Sequence, residues 1–392
     1  MPNRLNISLS PLPERQTLEA WWRELELASN GSFFTSWSWI GSWLEGLPET
    51  AAVALLVALR DGRRVGLALA VNGLARVFRR FRVRAWRVHT AGVEDVDDLA
   101  IEYNDFLVDR QGADETRLAL MQWLLRQTPA SQIEVRGAGA PVRVLAEHPP
   151  RGLLARLDPL TAYLVSLQKV RAAPQGHLSL LASNLRSQIR RSLKAYGALG
   201  PVQVEQAQDL DTALLYLERL RQMHRRSWTD KGVHSGFATD AVAERFHERL
   251  IRRAFPRNEV QLLRIRAGDS DIGYLYNFIY RGTVLYYQSG LDYGLVEKHG
   301  RPGLVCHVMA IEHNAQLGHT WYDLLAGDYR YKSSLATDQE PMAHCVFMRD
   351  TLFNRLELRA RQVVQARRRR VADQEVAPQP ADDSPTPELQ KS

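Results

Sequence analysis

Between Thr283 and Leu325 a strand, a glycine-bearing basic loop, a helix and a second strand follow one another, and that order narrows what the chain can fold into. Val284-Leu285-Tyr286-Tyr287-Gln288-Ser289 has the aromatic and β-branched content of a half-buried strand. The loop from Gly294 to Gly303 carries Lys298, His299 and Arg301. Leu304, Val308, Ile311 and Ala315 then recur at helical spacing, and Gly318 stands where a glycine ends a helix. Thr320 to Leu325 reads as the second strand, and Ala326 to Lys332 as a polar loop. If the strands are parallel, the segment is a right-handed βαβ unit. The helix starts at Gly-Arg-Pro-Gly, so its free N–H groups and positive dipole end face the loop, which makes an anion site.

The rest of the chain predicts more of the same layering. Leu18 to Leu27 reads as a helix, and Ser36 caps a short one that buries Trp39, Ile40 and Trp43. The tryptophans are either packing between helix and sheet or an aromatic wall for a sugar or acyl chain. Asp61-Gly62 between two apolar runs signals a hairpin. Glu94, Asp95, Asp97 and Asp98 read as a solvated acidic loop. Leu178 to Tyr196 reads as one long helix with an apolar stripe through Leu181, Leu185, Ile189 and Leu193. Arg186, Arg190 and Lys194 share its other face. Asp211 to Trp228 is a further helix, with Arg221 outward and with His224 and Trp228 on one side. Pro341 to Arg349 is a last strand or helix start. Thr351 to Arg370 is a helix ending in Arg367 to Arg370, and the polar, proline-rich stretch from Val371 reads as disordered.

Two cysteines, Cys306 and Cys345, exclude a disulfide framework and suit a reducing compartment. No zinc pattern, Walker loop or nucleophile elbow is present. The N-terminus lacks a basic region followed by an apolar core, and no run reaches the roughly 18 apolar residues of a membrane span. A cytoplasmic protein is expected, with peripheral attachment at the inner face of the membrane as an option. The net charge of +7 favours anionic partners.

The series Tyr-Tyr-Gln-Ser-Gly, Arg-Pro-Gly-Leu and Tyr-Asp-Leu-Leu-Ala-Gly-Asp-x-x-Tyr-Lys resembles the GNAT superfamily of N-acetyltransferases. Within it the chain is similar to the CelD/BcsL-like branch, related to the Fem peptidyltransferases. The resemblance runs from about Leu180 to Leu352, with a weaker echo upstream. It implies an α/β fold of tandem acetyltransferase-like units, each a mixed central sheet flanked by helices. The units are expected at 1–165, a degenerate N-terminal copy, and 166–355, the C-terminal acetyltransferase domain. Residues 356–392 would form a basic helix and a disordered tail. The superfamily's Arg/Gln-x-x-Gly-x-Gly/Ala phosphate loop is degenerate here, with only Gly300, Arg301 and Gly303 suggesting it.

Acyl transfer to an amine needs an anchor for phosphates, an oxyanion donor, a base for the amine and a proton for the leaving thiolate. Lys298, Gly300, Arg301 and Gly303 are the expected anchor for acetyl-CoA or another acyl-CoA, with no metal. A strand edge between Leu285 and Ser289 is the expected oxyanion donor. Asp323, at the carboxyl half of its strand, is the first candidate base, followed by Tyr287 and Asp328. Tyr286 and Tyr287 alternate, so one of them is expected in the cleft. Tyr331, Lys332, Arg186, Arg190 and His224 are the candidate acceptor-side residues. The implied acceptor is a small amine or a glycan precursor, such as an amino sugar of cell-envelope or exopolysaccharide synthesis. Two other readings stay open: a Fem-like transferase using aminoacyl-tRNA, and a non-catalytic protein binding an anionic membrane surface through the basic C-terminal helix.

Overall fold

A computed structural model describes residues 5–78, 80–92, 99, 101–229, 237 and 240–375, without the side chains of 228–229 and 365–375. The acidic loop at 94–98 and the tail beyond 375 lie outside the described residues. The strands are β1 (Asn6–Ser10), β2 (Val53–Arg60), β3 (Arg63–Val77), β4 (Phe81–Val88), β5 (Leu107–Val108), β6 (Gln132–Ala138), β7 (Leu153–Ser166), β8 (Val202–Gln206), β9 (Val260–Ala267), β10 (Ser270–Tyr280), β11 (Thr283–Leu291), β12 (Trp321–Ala326) and β13 (Asp338–Arg349). All belong to one sheet, in the order β1-β2-β3-β4-β6-β13-β7-β12-β11-β10-β9-β8, with β5 beside β3.

That order contains the same pattern twice, read inward from each edge. β1 to β4 form an antiparallel ladder, β4 pairs with β6 in parallel, and an antiparallel strand follows. β8 to β11 repeat the ladder, β11 pairs with β12 in parallel, and another antiparallel strand follows. The closing strands are exchanged. β13, late in the chain, completes the first pattern, and β7, early in the chain, completes the second. β7 and β13 then pair with each other from Asp338↔Leu164 to Arg349↔Leu153. A cut near residue 165 therefore divides the sequence but not the sheet. Neither half owns its own last strand.

The layers explain the tryptophans. One face of the sheet carries a core shared by both halves. Helices Arg15–Ala28 and Trp37–Gly46 meet Leu210–Thr229 and Ala241–Ala254 there. Phe33 stacks on Phe278 at 4.2 Å between ring centres, and Trp39 meets Phe246 edge-on at 4.9 Å. Trp22, Trp37 and Trp39 are fully buried, so the cluster is cross-half packing and offers no wall to a ligand. The Ser36 side chain accepts from Trp39 N–H, as its capping position requires. The opposite face carries two separate cores, one for each half.

Three local expectations are corrected. The helix expected from Leu178 breaks at Leu181–Ala182 into His177–Leu180 and Ser183–Gly197, so Leu181 packs from outside the longer helix. Arg221 points inward, is 3% exposed and pairs with Glu244 at 2.5 Å. Its charge is matched across two helices, which a one-helix projection does not show. The polar stretch after β12 contains a short helix, Arg330–Leu335, and the C-terminal helix runs from Leu352 to Glu375.

Candidate active site

β11 and β12 are parallel neighbours only at Thr283↔Trp321, Val284↔Tyr322 and Leu285↔Asp323. Beyond that point they part. β11 stays with β10, while β12 shifts register and follows β7. A one-residue bulge marks the divergence, because Tyr286 faces Asn277 and Gln288 faces Tyr276, leaving Tyr287 as the extra residue. The opened wedge is a cavity of about 570 Å³. Tyr286 to Ser289 form one wall, Arg301 to Leu304 with His307 another, and Tyr329, Tyr331 and Lys332 a third. His224 and Ser227 close it from above. Both Tyr286 and Tyr287 reach the cavity, against the expectation that alternation would admit one. The wedge is open to both faces of the sheet.

The helix Pro302–Gln316 presents its first turn to this space. Pro302 occupies N1, and no side chain caps the end. The N–H groups of Gly303 and Leu304 are therefore left for a ligand, with the positive end of the dipole behind them. Arg301 lies at the boundary with a second, polar recess of about 500 Å³ between the Ser183–Gly197 helix and the 297–301 loop. That recess is lined by Arg191, Ser192, His299 and Gly300 among others. Ser192 Oγ donates to the His299 carbonyl at 2.7 Å, and His299 has a φ of 66°. A Cβ on Gly300 would lie 2.2 Å from the Val296 carbonyl oxygen, so glycine is required where the loop folds onto itself.

His224 is placed by a close contact of backbone on backbone. A Cβ on Gly290 would stand 2.1 Å from the Leu220 carbonyl oxygen, so the Leu210–Thr229 helix rests directly on β11 there. His224 Nδ1 lies 2.8 Å from the Ser289 carbonyl oxygen. A carbonyl only accepts, so Nδ1 carries the proton, and in the neutral ring Nε2 holds the lone pair. Gly290→Ala is expected to push this helix off the strand, costing about 2 kcal/mol in urea unfolding. An unchanged unfolding curve would show that the contact is dispensable.

A chain of hydroxyls lines the helix side. Tyr331 hydrogen-bonds Tyr286, whose own hydroxyl donates to Ser289 Oγ at 2.8 Å. Burial pushes Tyr286 up to about 12. His307 lies edge-on to Tyr286 at 4.5 Å and stacked on Tyr331 at 5.3 Å. Burial, with Lys332 nearby, holds it down at about 3, so it is neutral. The Ser289 N–H is covered by the Gln288 side-chain oxygen at 3.0 Å.

Asp323 is not in this cavity. Strand alternation puts Tyr322 and Leu324 in the helix-side core and turns Asp323 to the other face. There it lines a separate recess of about 550 Å³ with Tyr103, Tyr280 and Glu340 among others. Its Oδ2 accepts from Tyr103 at 2.6 Å, and its Oδ1 accepts from Leu325 N–H at 2.7 Å. Burial raises it to about 7, against those hydrogen bonds. Tyr287 donates to the Leu99 carbonyl at 2.9 Å, and burial keeps it protonated, which does not suit a base. Asp328 and Lys298 are exposed, and neither lines a described cavity. Arg186 is bound to the Leu181 carbonyl and Arg190 to Gln175, both away from the cavity. Arg301, Gly303, His224, Tyr287, Tyr331 and Lys332 are brought together, and Gly300 stands next door.

Lys332 is 7% exposed at the tip of β12. Its Nζ donates to the Ala326 carbonyl at 2.6 Å and reaches the Leu325 carbonyl at 3.4 Å. Leu325 has a φ of 61°, an uncommon conformation for a branched residue. Asp323 holds the Leu325 N–H, and Glu102 accepts from Ala326 N–H at 2.8 Å. Together the three charged residues bend the end of β12 out of the ladder and so widen the wedge. Among the described residues no group of His, Cys, Asp and Glu is arranged to hold a metal.

Residues 183–333 match the family model for an acetyltransferase (GNAT) domain. This segment is a GNAT-type acetyltransferase domain. No curated protein matches the chain in sequence. Among solved structures it is similar to FemX, at 10% identity and a TM-score of 0.52, over 86% of this chain and 96% of that one. It is also similar to L-PGS from Bacillus licheniformis, at 10% identity and a TM-score of 0.52, over 91% and 97% of the two chains. A conserved protein of unknown function from Bacteroides thetaiotaomicron matches at 9% identity and a TM-score of 0.52, over 88% and 100%. These likenesses extend the fold beyond the acetyltransferase domain to nearly the whole chain. Gln288 and Ser289 fall in the strand edge expected to face the cleft, whereas His307 and Tyr329 are cavity residues that the sequence reading does not name. Only His307, four residues after Gly303 on the same helix face, carried a periodic signal.

Proposed function

We propose that the chain is an acyl-CoA-dependent N-acyltransferase. The observation that carries this reading is the uncapped end of Pro302–Gln316, opening into the wedge where β11 and β12 part. The donor's pyrophosphate would take the Gly303 and Leu304 N–H groups and the Arg301 guanidinium. The thioester would lie between the parted strands, its oxyanion against the free edge of β11. The amine attacks the carbonyl carbon, its proton passes to His224 Nε2, and the C–S bond breaks as the thiolate takes a proton from Tyr286, resupplied by Tyr331. The resemblance to the CelD/BcsL-like branch supports an amino-sugar or cell-envelope precursor as acceptor, handled in the cytoplasm.

Acetyl-CoA at about 100 times its Kd should stabilise the protein by about 2.7 kcal/mol, which is about 3 °C in melting temperature. Arg301→Glu should remove most of that shift while melting normally in the absence of ligand. No shift with any acyl-CoA would sink the reading. The second reading, an aminoacyl-tRNA donor, is favoured by the degenerate phosphate loop. It would be supported by salt-dependent tRNA binding in place of the acyl-CoA shift.

A further inference from the structure

The C-terminal helix is amphipathic in the wrong sense for a soluble surface. Asn354 and Glu357 are buried, with Asn354 Nδ2 donating to the Arg349 carbonyl at 2.8 Å. Leu352, Phe353, Leu356, Val363 and Val364 are exposed instead, Leu352 at 75%. A helix that only covers a core turns its apolar residues inward. The helix also does not stand alone. Phe353 packs edge-on against Phe78 at 5.4 Å, in the turn between β3 and β4, and against Phe81 at 6.2 Å, the first residue of β4. Arg361 Nη2 donates to the Arg76 carbonyl at 3.3 Å, tying the two elements together. Hairpin and helix thus make one apolar ridge, to which Phe81 adds a side chain 57% exposed.

The charge around the ridge has one sign. The hairpin segment from Asn72 to Arg84 contains Arg76, Arg79, Arg80, Arg82 and Arg84 and no acidic residue. Arg76, Arg80, Arg82 and Arg84 are exposed, as are Arg355 and Arg359 on the helix. The helix's Glu357 is buried against Arg361, and Arg355 is paired with Asp350. Arg367 to Arg370 continue the series in sequence. Among the described residues no helix is long and apolar enough to cross a bilayer.

We infer that this ridge docks the protein on an anionic membrane surface, with Phe81, Leu352, Leu356 and Val363 entering the interface and the arginines meeting lipid phosphates. Contiguous apolar exposure rimmed by arginine fits a lipid interface, where both features are satisfied at once. RNA would take the arginines but leave the aliphatic side chains in water. The inference is independent of the proposed chemistry, since none of these residues lines the wedge.

The test is co-sedimentation of the full chain with vesicles of phosphatidylcholine alone or with about 30% phosphatidylglycerol. Binding is expected only with the anionic lipid and should weaken with salt. Arg80→Glu/Arg82→Glu and, separately, Leu352→Ser/Leu356→Ser should each reduce it about tenfold or more, with acetyl-CoA-independent melting unchanged. Equal binding to both vesicles, no binding to either, or anionic binding that survives both variants would overturn the inference. So would RNA binding lost in the arginine variant but kept in the Leu352/Leu356 variant, without vesicle binding.

Discussion

Lys332→Met should cost about 3 kcal/mol of stability and at least about a hundredfold in acyl transfer. The ammonium is buried and supplies the hydrogen bonds that the Leu325 and Ala326 carbonyls receive at the strand tip. Without it those oxygens are left unpaired, and Glu102 and Asp323 lose the cation that favours their charged forms. Burial already works against that cation, lowering Lys332 from its ordinary value while Glu102 and Asp323 pull it back up. The activity loss follows from geometry, because the same bonds hold the end of β12 away from β11. Urea unfolding and steady-state transfer assays check both parts. The pair Lys332→Met/Glu102→Gln should recover about 1 kcal/mol relative to additivity. Strict additivity would show that the two residues do not interact, and a normal transfer rate would show that the wedge does not depend on this tip.

The same tip shows where sequence reasoning stopped. The βαβ unit, its helix start at Pro302 and the parallel strand pair follow from local pattern and turn chemistry, and all are present. What local pattern does not carry is the partner across the sheet. Asp323 looked like a cleft base because it sits near the end of a buried strand. Its face is decided by alternation within β12 and by Tyr103, a residue 220 positions away. The bulge at Tyr287 likewise belongs to the pairing with β10, and it brings in a second tyrosine that strict alternation excludes. The exchange of β7 and β13 is a long-range choice with no marker in either strand. His224 was legible as a candidate from its residue type. The contact that orients it, the Leu210–Thr229 backbone on Gly290, needed the fold.

Acid should destabilise the protein between about pH 7 and pH 5, and the cause is a set of buried neutral histidines. Burial lowers His89 to about 4 and both His247 and His307 to about 3, with Arg221 adding to the effect at His247 and Lys332 and His177 at His307. His177 is lowered in the same direction. In the unfolded chain a histidine takes up its proton near pH 6.5. Between that value and the folded one the unfolded state binds more protons, so stability falls as pH falls. Moving from about pH 7 to pH 5 should cost roughly 2 kcal/mol for each of His89, His247 and His307. Asp323 acts oppositely. Its folded value of about 7 lies above the unfolded one, so its contribution is fully present below the ordinary carboxylate range and is lost as pH rises towards 7. It returns about 2 kcal/mol over the same acid step, so the three histidines exceed Asp323 alone by about 4 kcal/mol, while Glu26, Glu102, Asp105 and Glu340, raised by burial, act in the same direction as Asp323. Two variants separate the terms in urea unfolding at the two pH values. His307→Phe should flatten the acid loss by about 2 kcal/mol, and Asp323→Asn should steepen it by a similar amount. If both variants keep the wild-type slope, the acid sensitivity arises from other groups, and neither His307 nor Asp323 titrates as its burial in this fold demands.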